Sequence, residues 1–256
     1  MFNQDINAAH DLLSNTQLEF SSASPQSLKE SQPLIDQVHD VFLGKWGKYI
    51  SQERRKLASL SVRYPILTDA SGMKESIRHD PGIKGLVRNY QFKQVNLDGY
   101  VEYIDDLGVI KLYSYKSGIN RISEKMRSQL IGKYISRFPG DQNRAQEFID
   151  KLYFQTVHAH ESAHACSDES VPMWFQEIGA RYYESETIKE IYGKRESRGS
   201  DALKNHRFYE QLIDSYGDEV HKYFFGNEVD SKTKREILIK SFMFIVKDLT
   251  KRAFTP

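Results

Sequence analysis

His160-Glu161-Ser162-Ala163-His164, followed by Glu177 within Trp174-Phe175-Gln176-Glu177-Ile178-Gly179-Ala180, is the stretch around which the rest of this chain is read. Two histidines four apart on a helix stand one above the other on the same face, so their ring nitrogens can converge on one ion. Glu161 lies one residue past the first of them, about a hundred degrees round the helix. Its carboxylate is thereby placed beside the ion's open position rather than on the ion, the place of a base and not of a ligand. Upstream, Ile149, Tyr153 and Val157 lead to His160 and His164 at three- and four-residue steps, so the imidazoles continue a core-facing stripe. Buried imidazoles are costly unless hydrogen-bonded or metal-bound, and this pattern assigns them to a metal.

Glu177 is the expected third ligand. The ordinary alternative is an exposed helical pair with Arg181, four residues on. Ser170-Val171-Pro172 reads as a helix start, with Ser170 as the cap and Pro172 in the first turn, for a second helix running toward Ile191. Residues 165 to 171 are enough to turn the chain and bring this helix back against the first. Trp174 and Ile178 put the carboxylate at the edge of a buried stripe. Gly179 is expected to let two backbones approach closely, at about 1 kcal/mol of helix propensity.

With those residues on the page, the chain resembles the gluzincin metallopeptidases, in particular their small peptidase-MA-like branch. Members join HExxH through a short connection to a helix carrying W-x-x-E-G-x-A, whose Glu is the third zinc ligand. His160, His164, Trp174 and Glu177 match that signature, and Glu161 matches the general base. Ile178 departs from it, since the family has Gly there and Gly179 follows one place late. The match spans roughly residues 148 to 184. The resemblance implies one Zn2+ per chain and hydrolysis of peptide bonds through a zinc-bound water, its pKa lowered to about 7, activated by Glu161. It implies an α+β, zincin-like domain, mostly helical, with a small sheet. A metzincin would need a third His where Ser170 stands and a Gly at Ser167. A repressor-cleaving regulator of the ImmA/IrrE kind is the enzymatic rival. From a different class stands a catalytically inactive, zinc-stabilised binding module.

Several neighbours are weighed beside the triad. His158, two before His160, falls on nearly the opposite helix face, which favours a packed or solvated role. Cys166 reads as a small buried apolar residue. Asp168 and Glu169 are either loop carboxylates or groups that orient a ligand imidazole. Tyr182 and Tyr183 are candidate oxyanion donors, with core packing expected of at least one, and His206 and His221 compete for that role.

Net charge is +1 over 256 residues, which points to no nucleic-acid partner, and one cysteine excludes an internal disulfide framework. Together with the absence of a visible signal peptide, this gives the expectation of a cytoplasmic protein acting on a peptide or protein substrate. The apolar run from Ile237 to Val246, broken by Lys240 and Ser241, is too short for a membrane helix and reads as a buried C-terminal helix. Residues 1 to 31 read as a mobile tail and 32 to 256 as one catalytic domain. The domain divides into an N-terminal helical part, 32 to 95, and a part from 96 to 256 carrying the catalytic elements. A helix is expected from Pro33 to Leu60, with Ile35, Val38, Val41, Phe42, Trp46 and Tyr49 as its apolar face. Tyr100 to Ile104 and Val109 to Tyr115, joined by Asp105-Asp106-Leu107-Gly108, read as an edge hairpin. Helices are expected from Ile122 to Phe138, His206 to Lys222 and Lys232 to Arg252, with a loop from Gly193 to Lys204.

Overall fold

The computed structural model describes residues 25–68, 99–104, 107–113, 124–193 and 200–253. Over these the chain is α+β and mostly helical. Helix α1 spans Pro25–Trp46, α2 Gln52–Arg63, α3 Glu124–Tyr134, α4 Gln142–Cys166 and α5 Met173–Tyr192. Helices α6 (Ser200–Tyr216), α7 (Glu219–Phe224) and α8 (Ser231–Ala253) complete the described part. Strands β1 (Ile66–Thr68), β2 (Gly99–Ile104) and β3 (Leu107–Tyr113) form one sheet in the order β1-β3-β2. No described helix is long and apolar enough to cross a membrane.

The first helix differs from expectation at both ends. It begins at Pro25, inside the stretch read as a tail, because Leu28 packs on the main core and Ser31 is fully buried. A Ser- and Gln-rich composition hid this face; residues 1–24 lie outside the described residues. At the other end the helix stops at Trp46, and a 3-10 turn at Gly47–Tyr49 precedes α2. Ser51 adopts extended backbone and its Oγ accepts the Arg54 N–H at 3.3 Å, so local capping overrides the apolar periodicity. Of the expected apolar face, Ile35, Val38, Phe42, Trp46 and, in the 3-10 turn, Tyr49 are at most 7% exposed, while Val41 is half-buried.

The hairpin forms with a shorter turn than expected. Ile104 pairs with Leu107, so Leu107 and Gly108 belong to β3. A Cβ at Gly108 would stand 3.1 Å from the Ala165 backbone, so β3 lies directly against the last turn of α4. β1 pairs parallel to β3, Leu67 against Leu112, which joins the segment before residue 69 to the hairpin in one sheet. The sheet thereby joins the expected N-terminal helical part to the part that follows it.

Helix α4 is the centre of the molecule. Asp141 caps it, accepting the Arg144 N–H at 2.9 Å. From Phe154 to Ser167 every residue is buried, packed between α1, α2, α5 and the sheet. Gln155 ties α4 to α1 by donating to the Leu34 carbonyl at 3.1 Å and to Gln37 at 2.9 Å. The expected helix after Ile122 ends at Tyr134 and continues as a 3-10 turn to Arg137. The region from His206 to Lys222 holds two helices, α6 and α7, and α6 starts at Ser200, within the expected loop.

Candidate metal centre

Two helices build the site. The connection from α4 to α5 is pinned from several sides: Asp168 N–H donates to the Phe224 carbonyl at 3.0 Å, and Arg54 donates to the Asp168 carboxylate and to the Ser167 carbonyl. Ser170 is not the cap, because the helix starts only at Met173; its N–H donates to Asp168 Oδ1 at 2.8 Å. Pro172 takes the cap position, and its carbonyl accepts the N–H groups of Phe175 and Gln176. Gln176 closes the turn by donating to the Val171 carbonyl at 2.8 Å.

This geometry sets Glu177 opposite the two histidines. His160 Nε2 and His164 Nε2 are 3.2 Å apart, His164 Nε2 lies 3.3 Å from Glu177 Oε1, and His160 Nε2 lies 3.6 Å from Glu177 Oε2. Ligands held at about 2.0–2.1 Å in a tetrahedron stand about 3.3–3.4 Å from one another, so the His160–His164 and His164–Glu177 Oε1 spacings are close to the edges of such a site, while His160 meets the other carboxylate oxygen. The donor set of two imidazoles and one carboxylate suits the same ion. Among the described residues, His160, His164 and Glu177 are the group able to hold a metal. The side chains of His160 and His164 are 7% and 11% exposed, whereas that of Glu177 is 50% exposed, so the centre opens to solvent on the glutamate side. Glu161 is buried at 8% and lies outside the ligand group.

One residue of the centre escaped the sequence reading. Glu184, only 2% exposed in its side chain, accepts from His160 Nδ1 at 3.0 Å and from Arg181 at 2.9 Å. That bond puts a proton on Nδ1 and aims Nε2 at the site. Glu184 is seven residues past Glu177, two helical turns, and the repeat Glu177-x3-Arg181-x2-Glu184 was the available signal. Arg181 pairs with Glu184 and not, as the ordinary reading had it, with Glu177. Asp168, weighed for the orienting role, serves the connection instead.

Burial disfavours the charged form of His160, but the carboxylates of Glu177 and Glu184 outweigh it and raise its pKa. Desolvation likewise pushes the Glu177 carboxyl up, and the two histidines bring it far below the usual carboxylate range. In the absence of metal, His160 and Glu177 therefore favour their charged forms side by side.

The remaining candidates sit elsewhere. Tyr183 is fully buried, and its hydroxyl bonds Tyr209 and His221 Nδ1, each at 2.9 Å, so it is not an oxyanion donor. Tyr182 lies among the rings of Tyr209, His206 and Trp46, at 4.8, 5.0 and 5.9 Å. His206 is held between Glu186 at 3.3 Å and Glu210 at 3.4 Å. Gly179 faces this aromatic side too: a Cβ there would lie 2.3 Å from the Phe224 ring, so the close approach it permits is to a side chain of α7 and not to α4. Cys166 is buried, its thiol pushed up to about 12 by burial, as a small core residue. His158 is fully buried beneath the α4 face opposite the site, and burial lowers it to about 3. Searched against known proteins, the chain matches no family model, no curated protein and no solved structure.

Proposed function

We propose that this protein is a zinc-dependent metallopeptidase of the gluzincin type, with a zincin-like domain and Glu161 as its general base. The observation that carries the reading is the triad itself, with His164 Nε2 at 3.2 Å from His160 Nε2 and 3.3 Å from Glu177 Oε1, near tetrahedral edge length, and Glu184 seated behind His160. Bound there, zinc acidifies a water and polarises a substrate carbonyl as a Lewis acid.

The chain's own residues do the rest. His160, His164 and Glu177 hold the ion, and Glu184, paired with Arg181, fixes the His160 ring. Glu161, outside the ligand group, takes the proton of the attacking water and passes it to the leaving amine. The half-exposed Glu177 leaves an approach from solvent, and β2 stands at an edge of the described sheet, where an extended peptide could be received through main-chain hydrogen bonds.

Elemental analysis of the native chain beside Glu177→Ala and Glu161→Gln tests this. The expected result is about one zinc per chain, lost or much weakened in Glu177→Ala and kept in Glu161→Gln, whose cleavage of a peptide pool falls by about a hundredfold or more. Absence of zinc after incubation of the native chain with the metal defeats the reading. Zinc with full turnover in Glu161→Gln removes the base. Zinc that raises the unfolding midpoint with no cleavage at all selects the binding module.

A further inference from the structure

The apolar run from Ile237 to Val246 is buried on one side only. Ile237 and Ser241 are fully buried, and Phe244 stacks on Phe208 at 4.1 Å. Ile239, Phe242, Met243 and Val246 are instead 51%, 55%, 49% and 38% exposed. Their i, i+3, i+4, i+7 spacing makes them a second apolar stripe along α8. A contiguous patch of this kind is the sort of surface that monomers keep for a partner.

The stripe leads to the metal centre. The Phe242 ring meets Trp174 edge-on at 6.4 Å. The residue beside Trp174, Met173, is 64% exposed and opens α5. It lies one helical turn before Glu177 on the same face. Exposed Lys232 and Arg235 stand in line with the stripe, and exposed Lys240 and Lys247 flank it, against a half-buried Glu236.

We propose that the surface formed by Met173, Trp174 and the outer stripe of α8 docks a peptide substrate on one side of its scissile bond, selecting apolar side chains flanked by acidic ones. The proposal rests on the metallopeptidase reading. Continuity with Glu177 is what assigns the occupant, and the basic residues set its charge.

The test uses the full chain as Glu161→Gln, loaded with zinc, so that binding is read without turnover. Three fluorescein-labelled peptides serve as probes in anisotropy titrations: one alternating Leu and Phe with Glu, one with Ser for the apolar residues, and one with Lys for Glu. The first is expected to bind about tenfold tighter than either of the others. Adding Phe242→Glu or Met173→Ser is expected to weaken it by about tenfold, with zinc content and melting curve unchanged. Equal binding of the three probes, or binding indifferent to both substitutions, overturns the proposal. So does sedimentation with phosphatidylglycerol vesicles that Phe242→Glu abolishes while no probe binds, which assigns the stripe to a membrane surface. Surface-dependent binding of a probe that the zinc-loaded native chain leaves uncut, along with every other peptide, retires the peptidase reading and keeps the docking surface.

Discussion

On one face of α5, Glu177, Arg181 and Glu184 meet the histidines of α4 through charge and directed hydrogen bonds; on the other, Gly179, Tyr182 and Tyr183 meet α1, α6 and α7 through ring packing. The first face is open at Glu177, and the second is shut, with Tyr183, Tyr209 and Phe224 fully buried. One helix thus carries a face whose value is in what it binds and a face whose value is in holding the helix still. The two should fail separately. A change on the charged face should alter metal affinity with modest cost in stability, and a change on the aromatic face should do the reverse.

The largest effect belongs to the shut face. Tyr183→Ala removes a ring in edge contact with Trp46 at 4.9 Å and packed on Phe224 at 4.7 Å, and it strands the hydroxyl of Tyr209. Truncating a buried aromatic of this kind costs about 3–5 kcal/mol. Urea unfolding should show that loss, while zinc per folded chain stays as in the native protein. A variant that keeps its stability and loses zinc would break the division between the faces.

On the open face, Glu184→Gln keeps the shape of the side chain and removes the charge behind His160. Loss of such an orienting carboxylate typically weakens metal binding by about 10–100-fold, roughly 1.4–2.7 kcal/mol. Arg181, 27% exposed, can turn its freed guanidinium to water, so the fold should be little affected. Competition against a chelator of known affinity reads the change. Unaltered affinity would mean that Glu184 does not hold the imidazole.

How much of this was legible beforehand follows from the kind of signal each part leaves. His160, His164 and Glu177 were readable as a group because ligand convergence demands fixed spacing within one helix and a carboxylate on the next. The long α4 was readable because its cap at Asp141 and its apolar period agree. Glu184 was not, since an Arg-x2-Glu on a helix looks the same whether it is solvated or seated behind a ligand. Tyr182 and Tyr183 were left open between packing and an oxyanion role, and Gly179 was read as a backbone approach, because periodicity places residues on a helix without saying which neighbour covers each face. The α1–α2 break was hidden because Ser51 stops a periodicity that otherwise runs on. The run from Ile237 to Val246 looked buried because apolar content does not say how many sides of a helix find a partner, and α8 finds one.

Acid should move the two faces in opposite directions, which sharpens the comparison with the smallest expected effect. Burial holds His221, bonded to Tyr183 on the shut face, down to about 4, against 6.5 for an ordinary imidazole. The folded chain therefore refuses a proton that the unfolded chain accepts. This stability is complete above pH 6.5 and is lost as the pH falls from there toward about 4, at up to about 1.4 kcal/mol per unit. His160 on the open face has the opposite sign: its pKa is raised, so in the metal-free chain its contribution is present below pH 6.5 and disappears as the pH rises through the folded value. Metal-free native chain and His221→Gln, unfolded in urea at pH 6.5 and 5.5, isolate the first of these. The native chain should lose about 1 kcal/mol of its advantage over His221→Gln across that interval. An advantage that stays constant would mean that His221 titrates in the folded chain as it does in the unfolded one, and that the shut face is open to protons after all.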